Sequence, residues 1–233
     1  MKIRAILTGA TGMVGEGVLH QCLNHAEVES VLVINRRPCG IQHNKLTEII
    51  HADFHDLSVI ENRLTGYNAV FFCMGASSMG MSEDAYRRVT YDLTLYIAKL
   101  LAEINPGTTF CYVSGTGTDS SEAGRLMWAR VKGKTENDLM KLPFKAAFMF
   151  RPGFIQPIKG LKNTYTIYKV IGPVYPLLKA VFPKHVCTLQ DLGLAMIEVV
   201  RNPYSRQVLE NRDITMLAKT VKIRFEQEMT GDD

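Results

Sequence analysis

Three glycines at intervals of three, Gly9, Gly12 and Gly15, lie in the stretch Thr8-Gly9-Ala10-Thr11-Gly12-Met13-Val14-Gly15. A tight turn needs one glycine. Three in register divide the work among a sharp turn at Gly9, close approach of backbone to a ligand at Gly12, and close helix–sheet packing at Gly15. The N–H groups at the start of a following helix, with the positive end of its dipole, then hold an anion such as a pyrophosphate, with Thr8, Thr11, Met13 and Val14 framing the turn. About twenty residues further on stand Asn35, Arg36 and Arg37, where an acid would bind a ribose 2′-hydroxyl. Guanidinium groups match a 2′-phosphate and stack on adenine. The pattern is that of a dinucleotide site, with NADP(H) favoured over NAD.

A strand must lead into such a turn and a helix must leave it. Ile3, Ala5, Ile6 and Leu7 form an apolar run that predicts a buried strand, and Val14, Val18, Leu19, Cys22 and Leu23 recur at helical spacing. Further strands are predicted at 31–34, 46–50, 69–73, 110–113 and 146–150, with helices at about 12–24, 56–64, 82–104 and 121–140. This alternation predicts an α/β fold, a Rossmann-type doubly wound parallel sheet of order 3-2-1-4-5-6 whose ligand crevice lies at the carboxyl ends of the strands. Residues 1–155 form that core, and 156–233 a small C-terminal substrate-side subdomain of the same globular unit, with a helix from Thr188, a short strand near Val208-Leu209 and a final helix.

The 233 residues carry a net charge of +4, which suits a small anion and lacks the basic stripe of a nucleic-acid binder. Five cysteines show no paired metal spacing, and Cys73 and Cys111 fall inside apolar strands. His51, Asp53 and His55 sit at a strand-to-helix junction where such spacing does not converge, so no metal is expected. Met1 and Lys2 lead directly into the first strand without a signal peptide, so a cytoplasmic chain is expected.

The glycine turn, Asn35-Arg36-Arg37, Asp53, Ser114, Lys132, Glu136 and Arg151-Pro152-Gly153 together resemble the extended and atypical short-chain dehydrogenase/reductase superfamily, in its NAD(P)-binding, nucleoside-diphosphate-sugar epimerase-like members. The resemblance implies that Asp53 contacts adenine and Phe54 lines the same pocket. It implies that Cys73, Met74 and Gly75 let the cofactor cross a strand end, and that Arg151, Pro152 and Gly153 belong to the cofactor site. It also implies a catalytic Ser or Thr after the fifth strand (Ser114, with Thr116 second) and Lys132 from a Tyr-x-x-x-Lys helix. In that pattern the lysine holds the nicotinamide ribose and lowers the pKa of the tyrosine one turn away, which exchanges a proton as hydride moves. Here Trp128 occupies the tyrosine position, and an indole N–H is no usable acid. Trp128 is read as stacking on nicotinamide or substrate, or as filling the pocket.

Tyr165 and Lys169 match Tyr-x-x-x-Lys literally but follow Arg151-Pro152-Gly153, on the wrong helix; Tyr86, Tyr91 and Tyr112 are the other candidate donors. What the resemblance implies is an NADP-dependent oxidoreductase or epimerase acting on a carbonyl or hydroxyl compound. The missing tyrosine keeps open a second reading, an NADPH-binding sensor or scaffold that has lost its acid. Residues 159–184 mix lysines with Tyr165, Tyr168 and Tyr175 and read as a substrate lid, a packing or homodimer contact, or a membrane-surface segment. Gly172-Pro173 and Pro176 break any membrane-spanning helix there.

Overall fold

Side-chain alternation along β1 (Ile3–Thr8) sets the layers. Ile3, Ala5 and Leu7 face one side, where they join Val18, Leu19 and Leu23 of α1 (Met13–Asn24). Ile6 faces the other, among Val70 and Phe72 of β4 (Ala69–Phe72) and Phe110 and Tyr112 of β5 (Thr109–Val113). Strands buried on both faces read as continuous apolar runs, which is why these were legible without alternation of polar residues. The computed structural model describes residues 1–156, 158, 160, 161, 163, 182, 185–202 and 204–230. Tyr165, Lys169 and most of the basic-aromatic stretch 159–184 lie outside the described residues.

The main sheet has seven parallel strands in the order β3 (Leu46–Ile50), β2 (Val28–Asn35), β1, β4, β5, β6 (Ala146–Arg151), β9 (Val208–Glu210). The expected order is found and extended by one. The short strand expected near Val208-Leu209 pairs with β6, Met149 facing Val208 and Arg151 facing Glu210. A separate parallel pair, β7 (Phe154–Gln156) with β8 (Val186–Thr188), follows the β6 end.

The helix expected at 56–64 is a 3-10 turn, Ser58–Arg63. The one at 82–104 is α2 (Glu83–Arg87), a π-helical turn (Arg88–Asp92) and α3 (Leu93–Ile104), opened by Ser82, whose Oγ accepts from Ala85 N at 3.3 Å. α4 (Met127–Leu139) starts six residues later than the expected 121. The Asp119 carboxylate captures Ser121 N at 3.0 Å, Ser121 Oγ at 2.6 Å and Gly124 N at 2.6 Å, offering this stretch a hydrogen-bonded alternative to helix. α5 (Leu189–Arg201) begins at a capping box, Thr188 Oγ1 accepting from Asp191 N and Asp191 Oδ2 accepting from Thr188 N, both at 3.0 Å. It docks on α1, where Gly17 leaves room for Leu189. The final helix is α6 (Asn211–Thr230).

Candidate functional site

The sheet reverses its strand order between β1 and β4, and there, at the carboxyl edge, lies a cleft of about 500 Å³. Its floor is the glycine turn. Gly9 has φ +80° and a Cβ there would stand 2.8 Å from the carbonyl of Cys73, so no other residue fits. Gly12 N donates to Gly9 O at 2.9 Å, and Gly12 precedes α1 with no side-chain cap. Met13 and Val14, which open the helix, line the cleft with Thr11. Among the described residues no side chain caps that first turn, so its orphan N–H groups are available to an anion. Thr8 and Gly15 do not line the cleft. Thr8 is buried beneath it, its Oγ1 without a hydrogen-bond partner among the described residues.

Gly15 serves packing: a Cβ there would come within 2.1 Å of Gly9 O and 2.9 Å of Ala10 N. Both neighbours are backbone and cannot swing aside. Gly15→Ala should therefore cost about 3 kcal/mol or more, at or beyond the upper end for overpacking. A urea melt that matches the wild type would show that the turn gives way more easily than this geometry implies.

Asn35, Arg36 and Arg37 line the cleft beside Ile34 at the β2 end. Asn35 Nδ2 donates to Glu48 Oε1 at 2.7 Å, and Cys39 N donates to the same oxygen at 2.9 Å. The nearby carboxylate is thus engaged, whereas Arg36 and Arg37 are exposed and make no ion pair among the described residues. Phe54 lines the wall, but Asp53 does not. The Asp53 carboxylate turns back to accept from His55 N at 2.8 Å and closes its own loop. Cys73, Met74 and Gly75 line the cleft as well, and Ala76 and Ser77 extend that wall. Burial pushes the Cys73 thiol up to about 12, so it stays protonated.

At the β5 end, Val113, Ser114 and Lys132 close the cleft. Lys132 Nζ donates to Ser114 O at 2.5 Å. Burial lowers the pKa of that ammonium to about 8, against the opposing pull of Glu136 one turn on. Ser114 Oγ lies 2.5 Å from Glu136 Oε1 and 3.1 Å from Phe150 O. Arg151 does not reach the cleft. It is paired behind Ser114 with Glu136, its Nε 3.1 Å from both carboxylate oxygens and its Nη2 on Oε2, while Nη1 reaches Glu210 at 3.2 Å and Nη2 reaches Ser120 Oγ at 2.5 Å. Pro152 O accepts from Thr116 N at 2.9 Å. Gly153 N donates to Asn211 Oδ1 at 2.9 Å, and a Cβ on Gly153 would meet His185 O at 2.1 Å. These three residues fasten the β6 end to its neighbours rather than lining the cleft.

None of the described tyrosines lines the cleft. Tyr112 of β5 is buried beside Phe72 and Phe110, and burial pushes its hydroxyl far above the usual range. Tyr86 is buried too, and Tyr91 donates to Asp138 Oδ2 at 2.8 Å on the far side of α4. Trp128 is half-buried at the start of α4 and lies against Gly117, where a Cβ would be 3.3 Å from its Cη2. Sequence reasoning missed Ile34, Ala76, Ser77 and Val113; each adjoins a residue that was foreseen, so the continuation of the strand ends was the available signal.

The fold and the glycine turn match a known family: the chain belongs to the NAD dependent epimerase/dehydratase family, whose model matches residues 5–124. It is similar to the FMP52 protein, mitochondrial, of Debaryomyces hansenii, 27% identical over 208 residues covering 87% of this chain and 89% of that one. It is also similar to HTATIP2 of Rattus norvegicus, 27% identical over 152 residues, 64% of this chain and 61% of the relative. In fold it resembles the Bordetella bronchiseptica enzyme WbmG in complex with NAD, with TM-score 0.66 and 14% identity over 98% of this chain and 80% of that one. A second likeness is Helicobacter pylori ADP-L-glycero-D-manno-heptose-6-epimerase, TM-score 0.64, 14% identity, 94% and 82% covered. The expectation of a cytoplasmic chain is corrected here, because FMP52 relatives from Debaryomyces hansenii and Scheffersomyces stipitis are designated mitochondrial.

Proposed function

We propose that the cleft takes NADP(H) and that the chain uses it as an oxidoreductase- or epimerase-type enzyme on a small carbonyl or hydroxyl compound, in mitochondria. The observation that carries the coenzyme choice is the pair of guanidinium groups, Arg36 and Arg37, which make no ion pair among the described residues, beside an Asn35 already held by Glu48. The residues present fit a dinucleotide. A Cβ on Gly12 would meet only Gly9 O, at 3.4 Å, so the glycine leaves open space in front of the uncapped helix start. That space and those N–H groups would hold the pyrophosphate, Arg36 and Arg37 the 2′-phosphate, Phe54 the adenine and Lys132 the nicotinamide ribose. When bound, the coenzyme supplies a hydride acceptor or donor.

A second reading, a sensor that binds NADPH without turning it over, is favoured by Trp128 at the acid position and by the absence of a described tyrosine from the cleft. Calorimetric titration tests the shared premise: NADPH should bind at least tenfold more tightly than NADH. Gly12→Ala should fold normally and weaken both, since its Cβ strains nothing yet fills the approach. Equal affinity for the two coenzymes would remove the role given to the arginines. NADPH consumption over a panel of aldehydes and ketones then separates enzyme from sensor.

A further inference from the structure

Resting on the enzyme reading above, we propose that Lys132 carries the proton that the missing tyrosine would have handled, giving it from Nζ to the substrate oxygen in reduction and taking it back in the reverse direction. Among the described residues, the cleft-lining side chains with exchangeable protons are Thr11, Ser77, Ser114, Cys73, Arg36, Arg37, Asn35 and Lys132. Guanidinium groups do not release a proton in this range, aliphatic hydroxyls and amides are far too weak as acids, and burial keeps the Cys73 thiol protonated. Ser114 is further committed. Its Oγ–H points at Glu136 Oε1, 2.5 Å away, and Arg151 stands behind that carboxylate, so the oxygen presents lone pairs to the cleft and accepts rather than donates.

Of the described residues Lys132 remains, and its position is fixed. Nζ uses one N–H on Ser114 O, which ties it to the β5 end, and keeps two more for the cleft. The charged or titratable groups around it are Glu136 on its own helix, Arg36 and Arg37 after β2, and Cys73 after β4; Arg151 of β6 acts on it only through Glu136. Desolvation brings the ammonium close to the working range of a general acid, which an ordinary lysine is not. In reduction the carbonyl carbon gains a hydride from NADPH, the C=O π pair moves to oxygen, and that oxygen takes the Nζ proton. NADP⁺, an alcohol and a neutral amine remain, and water recharges the amine.

Competitive labelling with trace acetic anhydride, read lysine by lysine by peptide mass spectrometry across a pH series, tests the amine without any turnover. Lys132 labelling should rise with a midpoint near 8, well below the ordinary lysine value of about 10.4, and should be protected by NADPH. K132R, which keeps the cation and loses the transferable proton, should bind NADPH within about threefold of wild type yet consume it on the carbonyl panel at least 100-fold more slowly, the lower end of general-acid contributions. K132M should lose affinity as well. A normal labelling midpoint, a K132R variant that turns over like wild type, or a wild type that binds NADPH and never consumes it each overturns this role alone. If the wild type binds no NADPH, the coenzyme reading fails and takes this role with it.

Discussion

Arg36→Ala/Arg37→Ala is expected to weaken NADPH binding about 100-fold and to leave NADH within about threefold, because two charge-assisted contacts of roughly 1.4 kcal/mol each are lost only where a 2′-phosphate is present. Each contact is at the low end for charged hydrogen bonds because both side chains are exposed and solvent screens them. Two controls follow from the same physics. The NADPH preference of the wild type should shrink as salt is raised, whereas the helix-start contribution, common to both coenzymes, should not discriminate between them. Lysine at both positions should recover part of the loss, as a point charge without the bidentate fork. The role of Glu48 is tested alongside. It already accepts from Asn35 Nδ2 and Cys39 N, so Glu48→Gln should alter the NADPH to NADH ratio less than the arginine pair does. Equal losses for both coenzymes in the arginine variant would mean that these side chains act on adenine or on the fold, not on a phosphate.

The parts of the molecule that periodicity and glycine spacing encode were legible in the chain: six strands, their order, and the turn over which the cleft forms. These are local signals, an apolar run followed by residues that alone tolerate the turn. What was not legible depended on side chains meeting across long sequence separations. Asp53 could only be assigned to adenine by resemblance, and the structure spends its carboxylate on the backbone of His55. Arg151 carried the same implied role and instead lies behind the cleft wall, because a buried carboxylate fifteen residues earlier claims it. Val208–Glu210 is too short for sequence to say which sheet it joins; its place beside β6 is set by pairing and by the Arg151–Glu210 contact. The late start of α4 follows from Asp119, an acceptor whose reach into the next five residues no helical periodicity records. Location had no structural signal, and only the relatives corrected it.

The buried pair Glu136–Arg151 should give the largest loss of stability. Glu136 is fully buried, accepts from Ser114 Oγ and holds Arg151 through Nε and Nη2, so one carboxylate joins α4 to the ends of β5 and β6, and Arg151 passes the link on to Glu210 of β9. Glu136→Ala removes the counter-charge and leaves a buried guanidinium with Ser120 and the exposed Glu210, a loss of about 3–5 kcal/mol. That is a fifth or more of the roughly 5–15 kcal/mol that holds a domain together, and for a chain of this size it should lower Tm by about 6–20 °C. Arg151→Met alone should cost a similar amount, by stranding the carboxylate. The double variant Glu136→Leu/Arg151→Met should recover most of it, because well-packed apolar side chains often match or better a buried ion pair. A double variant that is stable yet shows altered labelling of Lys132 and weaker NADPH binding would assign the pair to positioning Ser114 and Lys132. If the double variant stays as unstable as either single one, the pair is part of the core's own cohesion, and the site merely borrows it.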